Sequence, residues 1–390
     1  MHNWKGPIDL NEPIYLDNAA TTAVCPAAEA AFLQAAKQFG NPSSLHALGF
    51  AAERLVAEAR ASIAAGLGAE PGELIFTPGG TYADNFAILG VARRSRKTGG
   101  CRGHIITSAI EHDAVLNTVA ALEKEGFEIT RLMPDASGHI AAEDVAAAVR
   151  ADTVLVSLML VNNELGTVQP VAEAARLVKR IRPDILVHTD AVQAYHKMPV
   201  NVRTLGVDLL SLSGHKIHAY KGIGALYVRK GVRLAPVIYG GGQEKGIAPG
   251  TEPVPLIAAL AAAASQPLAA ETLNRLKDRV LSAVAEQCPQ AEVLSAGEAG
   301  GICAITLRGF RGETVMHALE ERGFYVSTGS ACGKGKPSHV YAALPVDEAA
   351  KTGALRISVS QDTDPADIDR FAQALAEAAA ALTPKRKRAI

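Results

Sequence analysis

The sequence predicts an α/β protein: a mostly parallel sheet covered by helices, followed by a smaller C-terminal α+β domain. From about residue 70 to 230, short apolar runs rich in β-branched residues alternate with stretches of helical spacing, as strands buried on both faces require. A Gly/Pro-rich passage then breaks the rhythm, and the pattern beyond it is different. The 390 residues are 48% apolar and 20% charged, too apolar for disorder and long enough for a substantial core.

In chain order, strands are expected at residues 74–77, 104–107, 154–160, 185–189, 207–212 and 225–228. Helical spacing occupies 83–94, 114–125, 142–150 and 171–180 between them. Gly240-Gly241-Gly242 through Pro249-Gly250 to Pro253 and Pro255 form the break. The alanine-rich stretch 254–270, interrupted by Ser265, Gln266 and Pro267, reads as a packed helix and is too short to span a bilayer. The main domain boundary is placed near residue 264. After it come a helix, strands near 301–307 and 354–359, and a last helix from Pro365. The tail Lys385-Arg386-Lys387-Arg388 reads as a solvated end, with an acidic partner as the alternative.

Lys plus Arg (39) nearly cancels Asp plus Glu (40), so no global field draws the chain to nucleic acid or an anionic membrane. Five cysteines without a C-x-x-C spacing make neither a disulfide scaffold nor a metal site, and point to a reducing compartment. Residues 1–13 hold Asp9 and Glu12 and no apolar run, so a cytoplasmic location is expected.

The chemistry is expected where strands end. Lys216, in Ser211-Leu-Ser213-Gly214-His215-Lys216, follows a buried strand and faces the crevice in which open α/β sheets bind ligands. A desolvated lysine there has a nucleophilic amine suited to a Schiff base, although a lysine after a strand is also an ordinary surface residue. Asp190 stands at another strand tip, 26 positions earlier. A pyridine electron sink needs a carboxylate against its ring nitrogen and a lysine for its aldehyde; a helix N-cap is the other use for such an aspartate.

Thr77-Pro78-Gly79-Gly80-Thr81 joins a strand to a helix N-terminus and offers a phosphate cradle, to which Ser213 and His215 could add donors. It is not a P-loop, because no Gly-Lys-Ser/Thr follows. His112, in Glu111-His112-Asp113, could lie on a planar cofactor and move protons, or be a plain loop residue. Asn162-Asn163-Glu164 is a further strand-end polar group or a simple turn. Cys332, between glycines with Lys334 and Lys336 nearby, is placed to be a thiolate, whereas Cys303 in Ile302-Cys303-Ala304 is expected to be buried and inert. Arg356 lies inside an apolar strand pattern and needs a carboxylate, from a substrate or from a structural ion pair.

Together these segments resemble the cysteine desulfurases of the class V aminotransferase group, fold type I. The resemblance rests on Tyr15-Leu-Asp17-Asn-Ala-Ala20-Thr21-Thr22, Gly40-Asn41-Pro42-Ser43-Ser44, Val161-Asn-Asn163-Glu-Leu-Gly166, His188-Thr-Asp190-Ala-Val-Gln193, Ser213-Gly-His215-Lys216 and Ser330-Ala-Cys332. It runs from about residue 14 to 375, and the short Gly-Ser-Ala-Cys version is similar to the general iron–sulfur and nitrogen-fixation branch.

The resemblance implies that Lys216 holds pyridoxal 5'-phosphate, that Asp190 pairs with its ring nitrogen, that Gln193 bonds its ring hydroxyl and that His112 stacks on it. Gly80, Thr81, Ser213 and His215 would hold the phosphate, with Thr251 reaching in from a second subunit of a homodimer. Asn163, beside the cofactor, and Arg356 would take the carboxylate of L-cysteine, and Cys332 would accept its sulfur as a persulfide for a sulfur-acceptor protein. An arm over residues 1–15, a large cofactor-binding domain over 16–264 and a small domain over 265–390 carrying the cysteine loop are implied as well. Selenocysteine lyase, another lyase or an aminotransferase on the same fold, and a cofactor-retaining scaffold remain the alternatives. The chain departs from the usual pattern at Tyr82-Ala83, at Ala248 and at Ser360-Gln361.

Overall fold

The structure, a computed structural model, describes residues 13–95, 103–329 and 338–382. It begins with β1 (Ile14–Tyr15), α1 (Pro26–Ala36), α2 (Ala47–Leu67), β2 (Leu74–Thr77), α3 (Gly80–Ser95), β3 (His104–Ser108), α4 (Asp113–Lys124), β4 (Glu128–Leu132) and α5 (Ala142–Ala147). There follow β5 (Thr153–Ser157), α6 (Val171–Ile181), β6 (Leu186–Asp190), α7 (Val202–Leu205), β7 (Leu209–Ser213), β8 (Gly224–Val228) and α8 (Val254–Ala264). The remainder comprises α9 (Ala270–Gln287), β9 (Ala291–Ser295), β10 (Ile302–Leu307), α10 (Gly312–Glu320), β11 (Phe324–Tyr325), α11 (His339–Ala343), α12 (Glu348–Thr352), β12 (Ala354–Ser358) and α13 (Pro365–Ala381). Among the described residues no helix is long and apolar enough to cross a membrane.

The chain divides into two compact units, one of residues 21–163 and 167–270, the other of residues 1–20, 164–166 and 271–390. The first holds a seven-stranded sheet in the order β2-β8-β7-β6-β5-β3-β4. The pairs β3–β4, β3–β5, β5–β6 and β6–β7 are parallel, and β8 runs antiparallel to both β7 and β2. The sheet is mostly parallel, as expected. Parallel neighbours need a crossover of a dozen residues or more, and the β7-to-β8 link at 214–223 is too short for one, so β8 must return beside β7. Since β2 is also antiparallel to β8, the carboxyl ends of β2, β3, β5, β6 and β7 all leave the same edge.

Ile105, Leu155, Leu209 and Leu226 are fully buried and pack with Phe86 and Val91 of α3 and Val115, Val119 and Leu122 of α4. At ~1.5–3 kcal/mol for each large apolar side chain, this face fixes which side of each strand points inward.

The second unit has a three-stranded antiparallel sheet, β12-β10-β9, and a parallel pair, β1-β11. Phe371 of α13 packs beside Phe324 of β11 with ring centroids 6.2 Å apart. Asp364 caps α13 by accepting from Ala366 N–H at 2.8 Å, ahead of Pro365 in the first turn.

Several boundaries differ from expectation. The strand expected to reach residue 160 stops at Ser157, although Leu158 and Leu160 N–H still donate to His188 and Asp190 C=O. The helix expected over 142–150 ends at Ala147, and the strand expected from 207 begins at Leu209. The packed helix from 254 ends at Ala264, where Ser265 Oγ turns back onto Ala261 C=O at 2.8 Å. Half-exposed β4 sits at the sheet edge, so its alternation is shallow, and alanine-rich α1 and α2 precede the region where strands and helices alternate.

Candidate active site

The link after β7 is a single tight turn, Gly214–Lys216. Gly214 N–H donates to Ile223 C=O at 2.9 Å, and Ile217 and Ala219 N–H return to Gly214 C=O at 2.9 and 3.1 Å. A Cβ on Gly214 would lie 3.0 Å from Ile223 Cγ2, so the residue before His215 and Lys216 must be small for this turn to close. Lys216 is thereby held half-buried at the carboxyl edge of the sheet.

Asp190 ends the adjacent strand β6 and is buried. Its Oδ1 accepts from Val192 N–H at 2.8 Å, so it holds the turn that follows the strand while standing at the carboxyl edge of the sheet. Burial raises its pKa, opposed in part by its neighbours His112 and Lys216 and by the Val192 N–H bond. Both side chains therefore act on the same carboxylate. Gln193 is buried in the following turn, and its Oε1 accepts from Lys197 Nζ at 2.8 Å. Lys197 was not singled out in the sequence; the signal was its place four residues after Gln193 on one face of a turn.

The Thr77–Thr81 segment does join a strand to a helix N-terminus. Helix α3 starts at Gly80, and Thr77 Oγ1 donates to Gly79 C=O at 3.0 Å to close the preceding turn. A Cβ on Gly80 would lie 2.7 Å from Val192 Cγ2 and 3.5 Å from Ser213 Cβ, so this helix end lies against the elements that carry Asp190 and Lys216. Unbonded N–H groups at such an end favour an anion. His215 packs its Nδ1 3.1 Å from Thr21 Oγ1; burial first, then Lys216, Lys221 and Lys197, push its pKa down to about 4.

His112 caps α4, its Nδ1 accepting from Ala114 N–H at 3.1 Å, which leaves the proton of the neutral ring on Nε2. It lines one cleft with Thr81 and Asn85. Asn163 is half-buried in the loop after β5, whose Val161–Val168 bridge and Asn162 Nδ2 bond to Ile110 C=O at 2.9 Å fix it beside the start of α4. Thr251 does not join this group within the chain: it is exposed and lines a different groove with Thr77, Pro78, Tyr82 and Ala248.

Behind Asp190 lies a buried set that sequence reasoning did not single out. His188, two residues earlier on the same face of β6, bonds Ser157 Oγ at 2.8 Å and Ser211 Oγ at 3.0 Å and lies 3.6 Å from Asp84 Oδ1. Burial pushes His188 down to about 3. Glu111 accepts from Ser108 Oγ at 2.6 Å and Met159 N–H at 3.0 Å, yet burial pushes it up to about 8. Burial and the nearby Asp190 raise Asp84 well above its ordinary value. Three carboxyls cannot all ionise in so dry a space, and Glu111, pushed up to about 8, holds its proton at neutral pH. The period-two spacing of His188 and Asp190 was the available signal.

In the second unit, buried Arg356 of β12 donates from Nη2 to Asp17 Oδ1 at 2.6 Å. Cys303 is buried and its thiol is pushed up to about 12 by burial, the inert state expected of it. Glu164 meets the two residues that border segment 330–337: Ser338 Oγ donates to its Oε2, and a Cβ on Gly329 would lie 2.3 Å from that oxygen. Cys332 lies outside the described residues.

A lysine, an aspartate and a helix N-terminus at one edge of a mixed seven-stranded sheet, with a separate small antiparallel sheet, define the fold type I class of cofactor-binding α/β proteins. The class V aminotransferase pattern matches residues 14–371, and the chain belongs to that family. It is similar to "Cysteine desulfurase IscS" of Methanosarcina thermophila, 39% identical over 408 aligned positions covering 100% of both chains. A "Cysteine desulfurase" of Nostoc sp. is 40% identical over 375 positions, 93% of this chain and 92% of the relative. Among solved structures, a "NIFS-LIKE PROTEIN" superimposes with a TM-score of 0.88 at 35% identity, covering 95% of this chain and 100% of that one. Another, described as SspA in complex with cysteine, gives 0.76 at 36% identity over 89% and 98%.

Proposed function

We propose that this chain is a pyridoxal-phosphate-dependent cysteine desulfurase, which takes sulfur from L-cysteine, carries it on Cys332 and releases L-alanine. The observation that supports this most is the convergence of Lys216 and His112 on Asp190 beside the N-terminus of α3. The residues fit the cofactor. An anion has its place at Gly80 and Thr81, an acid stands ready for a ring nitrogen, and the amine beside it suits an aldehyde.

When bound, pyridoxal phosphate supplies a sink for the electrons freed at the substrate Cα. Asp190, buried and with the charge of Lys216 close enough to oppose that burial, would hold the proton of the ring nitrogen. Lys197 holds the Gln193 amide oxygen, so that the amide N–H would bond the ring hydroxyl, and His112 would pack on the ring. Ser213, His215 and, from a second subunit, Thr251 would complete the phosphate ligands. Lys216 would hold the cofactor through its ε-amine and, freed from it, would be the base that moves the proton at the substrate Cα. Asn163 and Arg356 receive the substrate carboxylate.

The Cys332 thiolate attacks the substrate sulfur: an S–S bond forms, the C–S bond breaks with its electron pair going to carbon, and that carbon is protonated. Sulfur is oxidised as carbon is reduced, so no outside oxidant is needed. A homodimer in the cytoplasm, passing sulfur to an acceptor protein for uses such as iron–sulfur cluster assembly, completes the reading. Purified protein given L-cysteine and a thiol should release alanine and sulfide, Lys216→Ala should release neither, and Cys332→Ala should lose sulfide release. Undiminished release by Cys332→Ala would overturn the assignment.

A further inference from the structure

The segment that ends at Thr251 leaves an unusual turn. Glu244, Lys245 and Gly246 have φ of +47°, +60° and +71°, three consecutive left-handed residues of which two carry a Cβ. Such backbone persists only where its surroundings impose it. Glu244 is buried, and its carboxylate takes both arms of the Arg60 guanidinium of α2: Nη2 to Oε1 at 2.6 Å and Nη1 to Oε2 at 2.9 Å. Oε2 also accepts from Phe76 N–H at 2.8 Å, on the side of β2 that faces away from β8. Arg60 Nη1 donates to Leu74 C=O at 2.8 Å, and its guanidinium lies 4.7 Å from the centre of the Phe76 ring.

The turn is thus pinned to the strand that leads into the phosphate cradle. Beyond it, Ile247 is buried in the core cluster of the sheet, and Gly250 N–H donates back to Gln243 Oε1 at 3.3 Å, so the path from Glu244 to Thr251 has little freedom.

We propose that the Arg60–Glu244 pair is a positioning device for Thr251, holding the left-handed turn closed so that the threonine hydroxyl is presented in one place to the cofactor phosphate of a second copy of this chain. The pair touches neither phosphate nor substrate; it acts through Thr251, and the inference rests on the phosphate-ligand reading of that residue.

A mutant cycle on the full-length protein, read as the dissociation constant of pyridoxal phosphate by absorbance titration, tests this. Arg60→Met/Glu244→Gln removes the pair without leaving a buried charge alone, and Thr251→Ala removes the hydroxyl. Each should weaken cofactor binding about tenfold, and the combined variant should bind no worse than Thr251→Ala within twofold. Should the paired variant not fold, Arg60→Lys, which keeps a cation on Glu244, takes its place in the same cycle. Effects that multiply in the combined variant, or unchanged affinity in the pair variant, overturn the device while leaving the Thr251 assignment standing. Unchanged affinity in Thr251→Ala overturns that assignment and the device with it.

Discussion

Arg356 Nη2 lies 2.6 Å from Asp17 Oδ1, so the buried guanidinium whose sequence context demanded a carboxylate finds one within its own unit. The ion pair joins the chain just after β1 to β12, and Asn18 Nδ2 adds a bond to Ser358 C=O at 3.1 Å. The same arginine is proposed to receive the substrate carboxylate, and the two tasks have different signatures.

Arg356→Ala should lower unfolding free energy by about 2–3 kcal/mol, through the lost packing of a buried side chain and the loss of a partner for half-buried Asp17, and raise KM for L-cysteine at least tenfold. Asp17→Asn should lower stability and leave KM within twofold. Denaturant titration and steady-state kinetics on both variants check this; stability loss without a KM change in Arg356→Ala would confine the arginine to the ion pair.

Glu111 sets a pH dependence of stability. Its folded pKa, about 8, stands above the ordinary 4.5, so the folded state binds the extra proton between these values. Stability from this group is complete below about pH 4.5 and falls as pH rises toward 8. Glu111→Gln, neutral throughout, should show a shallower loss of melting temperature from pH 5 to 8 than the parent. Parallel profiles would mean that Glu111 does not hold its proton.

Glycines separate by what a side chain would meet. At Gly329, φ +96°, a Cβ would lie 2.3 Å from Glu164 Oε2, whereas at Gly66 in α2 it meets nothing within 4 Å. Gly329→Ala should therefore destabilise by more than about 1 kcal/mol, and Gly66→Ala should stabilise by about 0.5–1 kcal/mol. Thermal unfolding of the two variants side by side is the check.

Gly80→Ala tests the cradle. Its Cβ would push against Val192 Cγ2, 2.7 Å away, and shift the first turn of α3. Pyridoxal phosphate should bind about tenfold more weakly while the melting temperature of cofactor-free protein changes less than that of Gly329→Ala. Equal cofactor affinity would remove the helix end from the phosphate site.

What the sequence disclosed follows the strength of its local signals. Strands β2 and β8 are nearly continuous apolar runs and β3 and β6 carry β-branched or apolar pairs that pass into polar strand ends, and all were legible to within a residue or two. Residues 158–161 kept the strand composition because they still bond to β6, so composition alone could not show where the ladder stops. Strand β4 is an edge strand with one neighbour, β3, and its half-exposed residues gave little contrast.

The strand-tip residues Asp190 and Lys216 were legible because their chemistry is unusual where they stand. Asp84, Glu111 and His188 were not, because a polar residue looks alike in sequence whether it meets solvent or a second buried carboxyl. Arg60 and Glu244, 184 positions apart, could be paired only by the fold.

On the proposed function, Lys216 carries a cofactor with which this protein moves sulfur from L-cysteine to Cys332. The most direct measurement is the mass of the peptide containing Cys332, taken under non-reducing conditions after cofactor-loaded protein has met stoichiometric L-cysteine. The account predicts a gain of one sulfur atom at Cys332, matched by one alanine released and abolished in Lys216→Ala. Alanine released with Cys332 unmodified, or the same gain in Lys216→Ala, would contradict it.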